Sequence, residues 1–225
     1  MEHPVTDFNY LGENISIQGY HKEDLIFKKI DLRGKFYEDF LLEKVMTLDL
    51  RGNYVDVGAN IGNHSIFFSL FCKSESVYSF EIDPAIFKIL ERNLRVNCDL
   101  RRFDLRNIGI LDKAGNVDIS EVDFQNAGLT KITEINGSEY PVDSLDNLLE
   151  GVENIVLIKI DIEGFELEVI RGAEKLLRKH RPVIFAELAT ENEFRKFCAE
   201  VAKFGYSSDG VNYAGTPTYM FEKIF

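Results

Sequence analysis

The sequence predicts an α/β protein built on a largely parallel sheet, and three observations carry that reading. Short apolar runs alternate with helix-like stretches through the middle of the chain, the pattern of strand–helix–strand crossovers. One of those runs leads directly into a glycine-rich turn and then a helix start, Val55-Asp56-Val57-Gly58-Ala59-Asn60-Ile61-Gly62. The 225 residues are 45% hydrophobic and 28% charged, enough apolar material for one large core and too much for a disordered chain. No repeat, low-complexity tract or Pro/Gly/Ser-rich linker interrupts it, so residues 1–225 read as a single domain. Within it, 1–50 form an N-terminal helical and strand extension, 51–190 the core, and 191–225 a C-terminal helix with edge strands.

The elements follow in order. Asn53–Val57 is a first buried strand, and His64–Phe71 is the helix after the glycine turn. Ser76–Phe80 is a second strand, ending at Glu81. Asp83-Pro84 opens the next helix, with an N-cap oxygen at Asp83 and a ring at the first helical position. Ile86, Ile89, Leu90 and Leu94 fall on one face of that helix, which runs to about Asn97. A third strand lies near Arg102–Asn107, and 112–115 turn into a short strand, Asn116–Ser120. Glu121–Ser138 is polar, weakly patterned and expected to be a long loop. Val142–Leu149 reads as a short amphipathic helix. Ile155–Asp161 is the clearest buried strand, followed by a helix over Leu167–Lys179. Pro182–Leu188 is a further strand, Glu191–Phe204 a helix closed by Gly205, and the tail from Asn212 supplies antiparallel edge strands.

Composition narrows the function. A formal net charge of −12 argues against a broad phosphate-binding surface, because non-specific nucleic-acid affinity rests on Lys and Arg. Three distant cysteines, Cys72, Cys98 and Cys198, form no CxxC pair, which fits a reducing compartment. No HxxxH, HxH or His/Cys cluster points to zinc, and no metal is assigned. No run approaches the roughly 18 apolar residues of a membrane helix. Met1-Glu2-His3-Pro4 lacks the start of a signal peptide, so a cytoplasmic location is expected.

The chemistry concentrates at two places. In doubly wound sheets the first crossover is where nucleotide-like ligands sit. Gly58 permits positive φ, Gly62 permits close approach of a ligand, and free N–H groups at the helix start attract an anionic group. Asp56 accepts from an ammonium or from backbone N–H groups. Roughly 20 residues on, a carboxylate at the second strand end commonly binds two ribose hydroxyls, and Glu81 stands there. The turn reads Gly-x-x-x-Gly rather than Gly-x-Gly-x-x-Gly, which favours S-adenosylmethionine over NAD. The alternative is a turn whose glycines serve packing alone. The second place is Lys159-Ile160-Asp161-Ile162-Glu163-Gly164-Phe165-Glu166. It sets Asp161 and Glu163 at the carboxyl end of their strand, on the same edge, as base or orienting groups for an acceptor hydroxyl, or as holders of a metal. Capping and pairing with Lys159 or Arg171 are the structural alternatives. Glu166 and Glu168 are expected to be solvated acids of the first helical turn.

Together with Val142-Asp143-Ser144-Leu145-Asp146, Val169-Ile170-Arg171-Gly172-Ala173 and Arg181-Pro182-Val183-Ile184, these motifs resemble the FkbM family of S-adenosylmethionine-dependent methyltransferases over roughly residues 50–190. Phe165 departs from the family, which more often has Ala there, and is expected to reshape the pocket beside Glu163. The resemblance implies a class I methyltransferase fold, Rossmann-like, with a mostly parallel seven-stranded sheet and helices on both faces. It implies a methyl donor held by Asp56, Gly58, Asn60, Gly62 and Glu81, with Asn107 at the adenine edge and Ile108 along the ring. It also implies O-methylation of a hydroxyl on a sugar, polyketide or related metabolite, with a sugar, sugar nucleotide or glycan precursor preferred and Asp161 or Glu163 as catalytic carboxylate.

Other residues have two readings each. His64 is a base near the methyl group or a solvent-facing histidine, and the second is preferred. His180 is a surface charge near a helix end. Glu187 contacts the acceptor or pairs with a lysine. Phe36, Tyr37 and Glu38 close over the donor or belong to the core. The loop Asp123–Gly137, with Asn126, Gly128 and Thr130, reads as a lid or acceptor loop. Competing functions are an NAD-dependent oxidoreductase, an inactive donor-binding domain and a nucleic-acid methyltransferase.

Overall fold

The computed structural model describes residues 3–120, 132–135 and 137–224. The chain begins with an antiparallel hairpin, β1 (Val5–Tyr10) and β2 (Glu13–Gln18), followed by helices α1 (Leu25–Arg33) and α2 (Asp39–Thr47). Core strands follow: β3 (Gly52–Val57), β4 (Ser74–Phe80) and β5 (Phe103–Arg106), with α3 (Asn63–Phe71) and α4 (Pro84–Asn97) between them. Asp83 caps α4 as expected, accepting from the N–H groups of Ala85 and Ile86 at 2.7 and 3.1 Å. After an inserted region come β10 (Ile155–Ile160), α6 (Glu166–Arg171), α7 (Glu174–His180), β11 (Val183–Glu187), α8 (Glu191–Ala202), β12 (Tyr206–Asn212) and β13 (Thr218–Lys223).

Seven of these strands form one sheet in the order β12-β13-β11-β10-β3-β4-β5. All run parallel except β13, which pairs antiparallel with both neighbours. This is the mostly parallel seven-stranded sheet expected. Alternation along each strand divides the core into two. Tyr54, Leu157 and Phe185 point to the side packed by α2, α3, α4 and the hairpin. Val55, Val57, Ile158, Ile160, Ile184 and Ala186 point to the side packed by α6, α7 and α8. The hairpin shares the first core through Ile15 and Ile17. Side-chain amides of α4 serve the edge of β2: Asn97 and Asn93 accept from the Ser16 and Gln18 N–H groups, each at 2.8 Å.

The structure departs from expectation in four places. Four strands between residues 109 and 143 form a second sheet, in the order β6-β9-β7-β8: β6 (Gly109–Ile110), β7 (Gly115–Ile119), β8 (Ile132–Ile135) and β9 (Tyr140–Asp143). Strand β8 lies inside the stretch expected to be loop, while Asn126, Gly128 and Thr130 lie outside the described residues. The expected helix over Val142–Leu149 is a strand end followed by a single turn, α5 (Leu145–Leu148), capped by Ser144. The helix expected over Leu167–Lys179 is broken at Gly172-Ala173, because Gly172 packs so tightly that a Cβ would sit 2.2 Å from the Leu111 carbonyl oxygen. The Asp146 carboxylate then accepts from the Lys175 and Leu176 N–H groups, both at 2.9 Å, and restarts the helix as α7. In the tail, β13 is an interior strand and only β12 forms the edge.

Candidate active site

The carboxyl ends of β3, β4, β10 and β11 form the floor of a cavity. Gly58, Asn60, Glu81, Asp161, Glu163 and Glu187 line it. Its cover comes from elsewhere: Leu25, Ile26 and Tyr37 from the N-terminal extension, Ile119 and Ile132 from the second sheet. Phe165 also lines it, packed against the small apolar cluster of Leu111, Val117 and Val142, so the departure at this position does shape the pocket beside Glu163.

The glycine turn is built by its own hydrogen bonds. Gly58 and Ala59 N–H donate to the Phe80 carbonyl, Asn60 N–H to Glu81 Oε2, Ile61 N–H to the Asn60 side chain and Gly62 N–H to the Ala59 carbonyl. The N–H groups of 58–62 are therefore occupied by protein acceptors, and the expected anion cradle is closed at these residues. Gly58 takes φ of +76°, and a Cβ there would lie 1.9 Å from the Asp161 carbonyl oxygen. Gly62, at φ +90°, leaves room for Leu90 of α4, whose Cδ1 would lie 2.9 Å from a Cβ there.

Glu81 has a different character. One carboxylate oxygen accepts from Asn60 N–H at 3.0 Å and the other from Asp83 N–H at 2.9 Å. Each oxygen keeps a lone-pair direction for a further donor, and the group borders the cavity. Burial pushes its pKa up to about 7, against the pull of those two N–H groups. A carboxylate with two acceptor positions fits the paired hydroxyls of a ribose.

Register explains the rest of the floor. Across the sheet, Phe185, Lys159, Asp56, Ser79 and Leu105 lie in one row. Lys159, 2% exposed, thus meets Asp56 at 3.5 Å and donates to the Gly58 carbonyl at 3.2 Å. Asp56 also accepts from Ser65 Oγ at 2.6 Å. Two residues further along their strands, Asp161 and Glu187 project from the same face at the cavity floor. Lys159 reaches Asp161 at 3.1 Å, and Glu187 hydrogen-bonds to it. Burial lowers the Lys159 pKa, but Asp161 and Asp56 outweigh it and hold it above its ordinary value. Burial raises Asp161, but Lys159, His64 and the bond from Glu187 hold it below the usual carboxylate range. Burial, then the Asp161 charge, pushes Glu187 up to about 10. The two shifts run in opposite directions, Glu187 upward and Asp161 downward, which favours the anion on Asp161.

Three expected donor contacts stand behind the cavity instead of lining it. Asp56 is fully buried in the row described above, Gly62 packs on α4, and the Asn107 amide donates to the Glu81 and Ile82 carbonyls at 2.8 and 2.9 Å. Asn107 thereby shapes the strand end that presents Glu81, and its neighbour Ile108 lines the cavity. Glu166 is buried rather than solvated: it accepts from Gly164 N–H at 3.0 Å, closing the 163–166 turn, and burial raises its pKa to about 7. Glu168 is half-buried and pairs with Arg171 at 3.2 Å. His64 is likewise buried, 5% exposed, with Nε2 3.1 Å from Glu38 Oε2. Beside it, the Asn63 side chain bonds both the N–H and the carbonyl of Tyr37, at 2.9 and 3.0 Å. The start of α3 thus straps residues 37–38 over the cavity, a contact between distant segments that no local pattern announces. Burial pushes the Tyr37 hydroxyl up to about 12, so it stays a phenol. Among the described residues no three His, Cys, Asp or Glu side chains converge as a metal-binding set, and no helix is long and apolar enough to cross a membrane.

Similarity to known proteins agrees with this architecture. Methyltransferase sdnD of Sordaria araneosa is 26% identical over 155 residues, covering 54% of this chain and 60% of its own. Hexuronic acid methyltransferase AglP of Haloferax volcanii is 29% identical over 165 residues, covering 71% of this chain and 64% of its own. The chain thus spans under two thirds of the length of either. Among solved structures, Methyltransferase FkbM from Methylobacillus flagellatus KT superposes with a TM-score of 0.57 at 18% identity, over 77% of this chain and 44% of that one. A precorrin-6y C5,15-methyltransferase from Geobacter metallireducens superposes at 0.52 and 16% identity, over 82% and 85%. These likenesses show the class I methyltransferase fold. Residues 56–208 match the Methyltransferase FkbM domain, well over half of the sequence, and the chain belongs to that family.

Proposed function

We propose that this chain is an S-adenosylmethionine-dependent methyltransferase that O-methylates a hydroxyl on a sugar, sugar nucleotide or glycan precursor. The observation that carries the reading is one cavity holding Glu81 at the second strand end and the Asp161–Glu187 pair two and three strands away in the sheet. S-adenosylmethionine, when bound, supplies a methyl group on a positively charged sulfur. Glu81 holds the two ribose hydroxyls, and Gly58 and Asn60 form the adjoining floor. Asp161 accepts the proton of the acceptor hydroxyl, while Glu187 keeps its own proton and its hydrogen bond to Asp161. Glu163, on the same rim, orients the acceptor. Positioning supplies most of the acceleration, and the apolar cover keeps water away from the reacting atoms.

The closed glycine turn weighs against a dinucleotide ligand, whose pyrophosphate needs free N–H groups there. AglP, with a hexuronic acid named as its substrate, supports a sugar acceptor. The test is calorimetry with S-adenosylmethionine and S-adenosylhomocysteine on wild type and Glu81→Ala. Micromolar binding lost in the variant supports the donor site and opens a screen of nucleotide sugars. No binding of either by wild type overturns the assignment.

A further inference from the structure

A second cavity adjoins the first. Its walls come from α1, the start of α2 and the 212–215 segment, and its volume is about 440 Å³, within the usual range for a small-molecule site. Tyr37 lines both cavities, and the short run 214–216 passes between them: Ala214 and Gly215 face the second, Thr216 the first. A hydrogen bond between the Tyr37 and Thr216 side chains joins the two parts of this wall. Tyr37 is close enough to Asp161 and Glu187 for both to act on its hydroxyl. A molecule lying against Tyr37 therefore has the proposed base at one end and the second cavity at the other.

The chemistry of the second cavity is specific. Phe40 is 58% exposed although large and apolar, and stacks on Tyr213 with ring centres 5.8 Å apart and planes 21° apart. An exposed aromatic face of this kind receives the C–H face of a ring. Two cations, Lys29 and Arg33, meet two carboxylates, Glu38 and Asp39, so the lining is formally neutral but not evenly paired. Glu38 pairs with His64, and Asp39 faces both Arg33 and Lys35. Lys29 has no carboxylate partner among the described residues; its Nζ sits 4.9 Å from the Tyr37 ring centre. Lys29 thus stands beside the aromatic platform as a cation that the wall's own carboxylates leave unpaired.

We infer that the second cavity is the acceptor's anchoring subsite, and that the acceptor is a sugar bearing an anionic group, carboxylate or phosphate. The ring lies on Phe40, the anion meets Lys29 with Arg33 beside it, and the hydroxyl to be methylated extends past Tyr37 to Asp161. The inference rests on the methyltransferase reading and adds the class of acceptor. It is tested by saturation-transfer NMR on protein loaded with S-adenosylhomocysteine. The probes are methyl β-D-glucuronoside, α-D-glucose 1-phosphate and the neutral methyl β-D-glucoside. At least one anionic probe binds fivefold or more tighter than the neutral one, and the two anionic arms distinguish carboxylate from phosphate. Lys29→Ala removes that preference, Phe40→Ala weakens all sugar binding at least fivefold, and Lys113→Ala changes neither. S-adenosylhomocysteine affinity stays within twofold in all three variants, which also shows that they fold. Equal binding of all three sugars, or a preference that survives Lys29→Ala, overturns the subsite while donor binding stands. Failure of S-adenosylhomocysteine to bind wild type removes the methyltransferase reading and the subsite with it.

Discussion

Asp161 and Glu187 meet because two neighbouring parallel strands end in register with their last side chains on the same face, and Lys159, one step back, favours the anion on Asp161. Exchanging Asp161 for Asn keeps the shape and removes the carboxylate proposed above as proton acceptor. The expected outcome is a loss of about 10²–10⁴ in kcat, the usual range for a positioned base, with donor affinity nearly unchanged. Equal loss in donor affinity would reassign Asp161 to the donor site. Glu81→Gln acts on the other half of the cavity. Hydrogen bonds to a charged group contribute roughly 1.5–3 kcal/mol, so donor binding weakens about 10- to 150-fold while kcat at saturating donor changes little. Because the Glu81 pKa is raised to about 7 and the carboxylate is the form that accepts hydroxyls, donor affinity rises as pH climbs through 7. At pH 7 binding releases about half a proton, readable by calorimetry in buffers of different ionisation enthalpy; no dependence on buffer would show that Glu81 is ionised throughout. Glu81 is legible from its distance after the glycine turn, and Asp161 from its strand end. Lys159–Asp56, Glu38–His64 and Asn63–Tyr37 are not, because each joins segments whose meeting is fixed only by strand register or by the path of the N-terminal extension.

Among the elements, those of the central sheet show in the sequence because strands buried on both faces must be nearly continuous runs of Val, Ile and Leu, as β10 is. The second sheet does not show: its strands are two to five residues long and mostly exposed or half-exposed where their burial is described, too short for alternation to rise above turn-like composition. The broken helix at Gly172 is hidden for another reason. Leu167–Lys179 keeps a helical apolar face throughout, and what interrupts it is the Leu111 backbone, 61 residues away in sequence and 2.2 Å from where a Cβ would stand. Gly172→Ala should therefore destabilise the fold by about 1–3 kcal/mol, as overpacking does. Asp146→Ala, which removes the acceptor for two N–H groups at the start of α7, should cost about 0.5–2 kcal/mol. Glu168→Ala, at a half-buried position of α6, stays within about 0.5 kcal/mol. Urea denaturation of the three variants ranks them, and a Gly172→Ala protein as stable as wild type would remove the close-packing account of the break.

For the molecule as a whole, the cavity is a place where the fold holds carboxyl groups against their preference. Burial raises the pKa values of Glu81 and Glu166 to about 7 and of Glu187 to about 10. A group whose folded pKa is raised binds its proton more tightly folded than unfolded. Its contribution to stability is complete below the unfolded value, near 4.5, and is lost as pH rises through the folded value. The free protein should accordingly lose thermal stability between about pH 5 and pH 8. His180, held below its ordinary pKa by burial and Lys179, works in the opposite direction, but as a single, partly exposed group at the far end of α7. A donor that uses the Glu81 anion reverses the trend for that group. At 100 times its dissociation constant it adds about 2.7 kcal/mol, which for a chain of this size raises Tm by about 5–11 °C. At a fixed donor concentration the increment grows from pH 6 to pH 8 as Glu81 ionises. Thermal scans with and without S-adenosylhomocysteine across that range separate the two effects. A free protein that gains stability steadily over the interval would show that the buried carboxyl groups are ionised at no cost. A ligand increment independent of pH would show that the donor is held without the charge of Glu81.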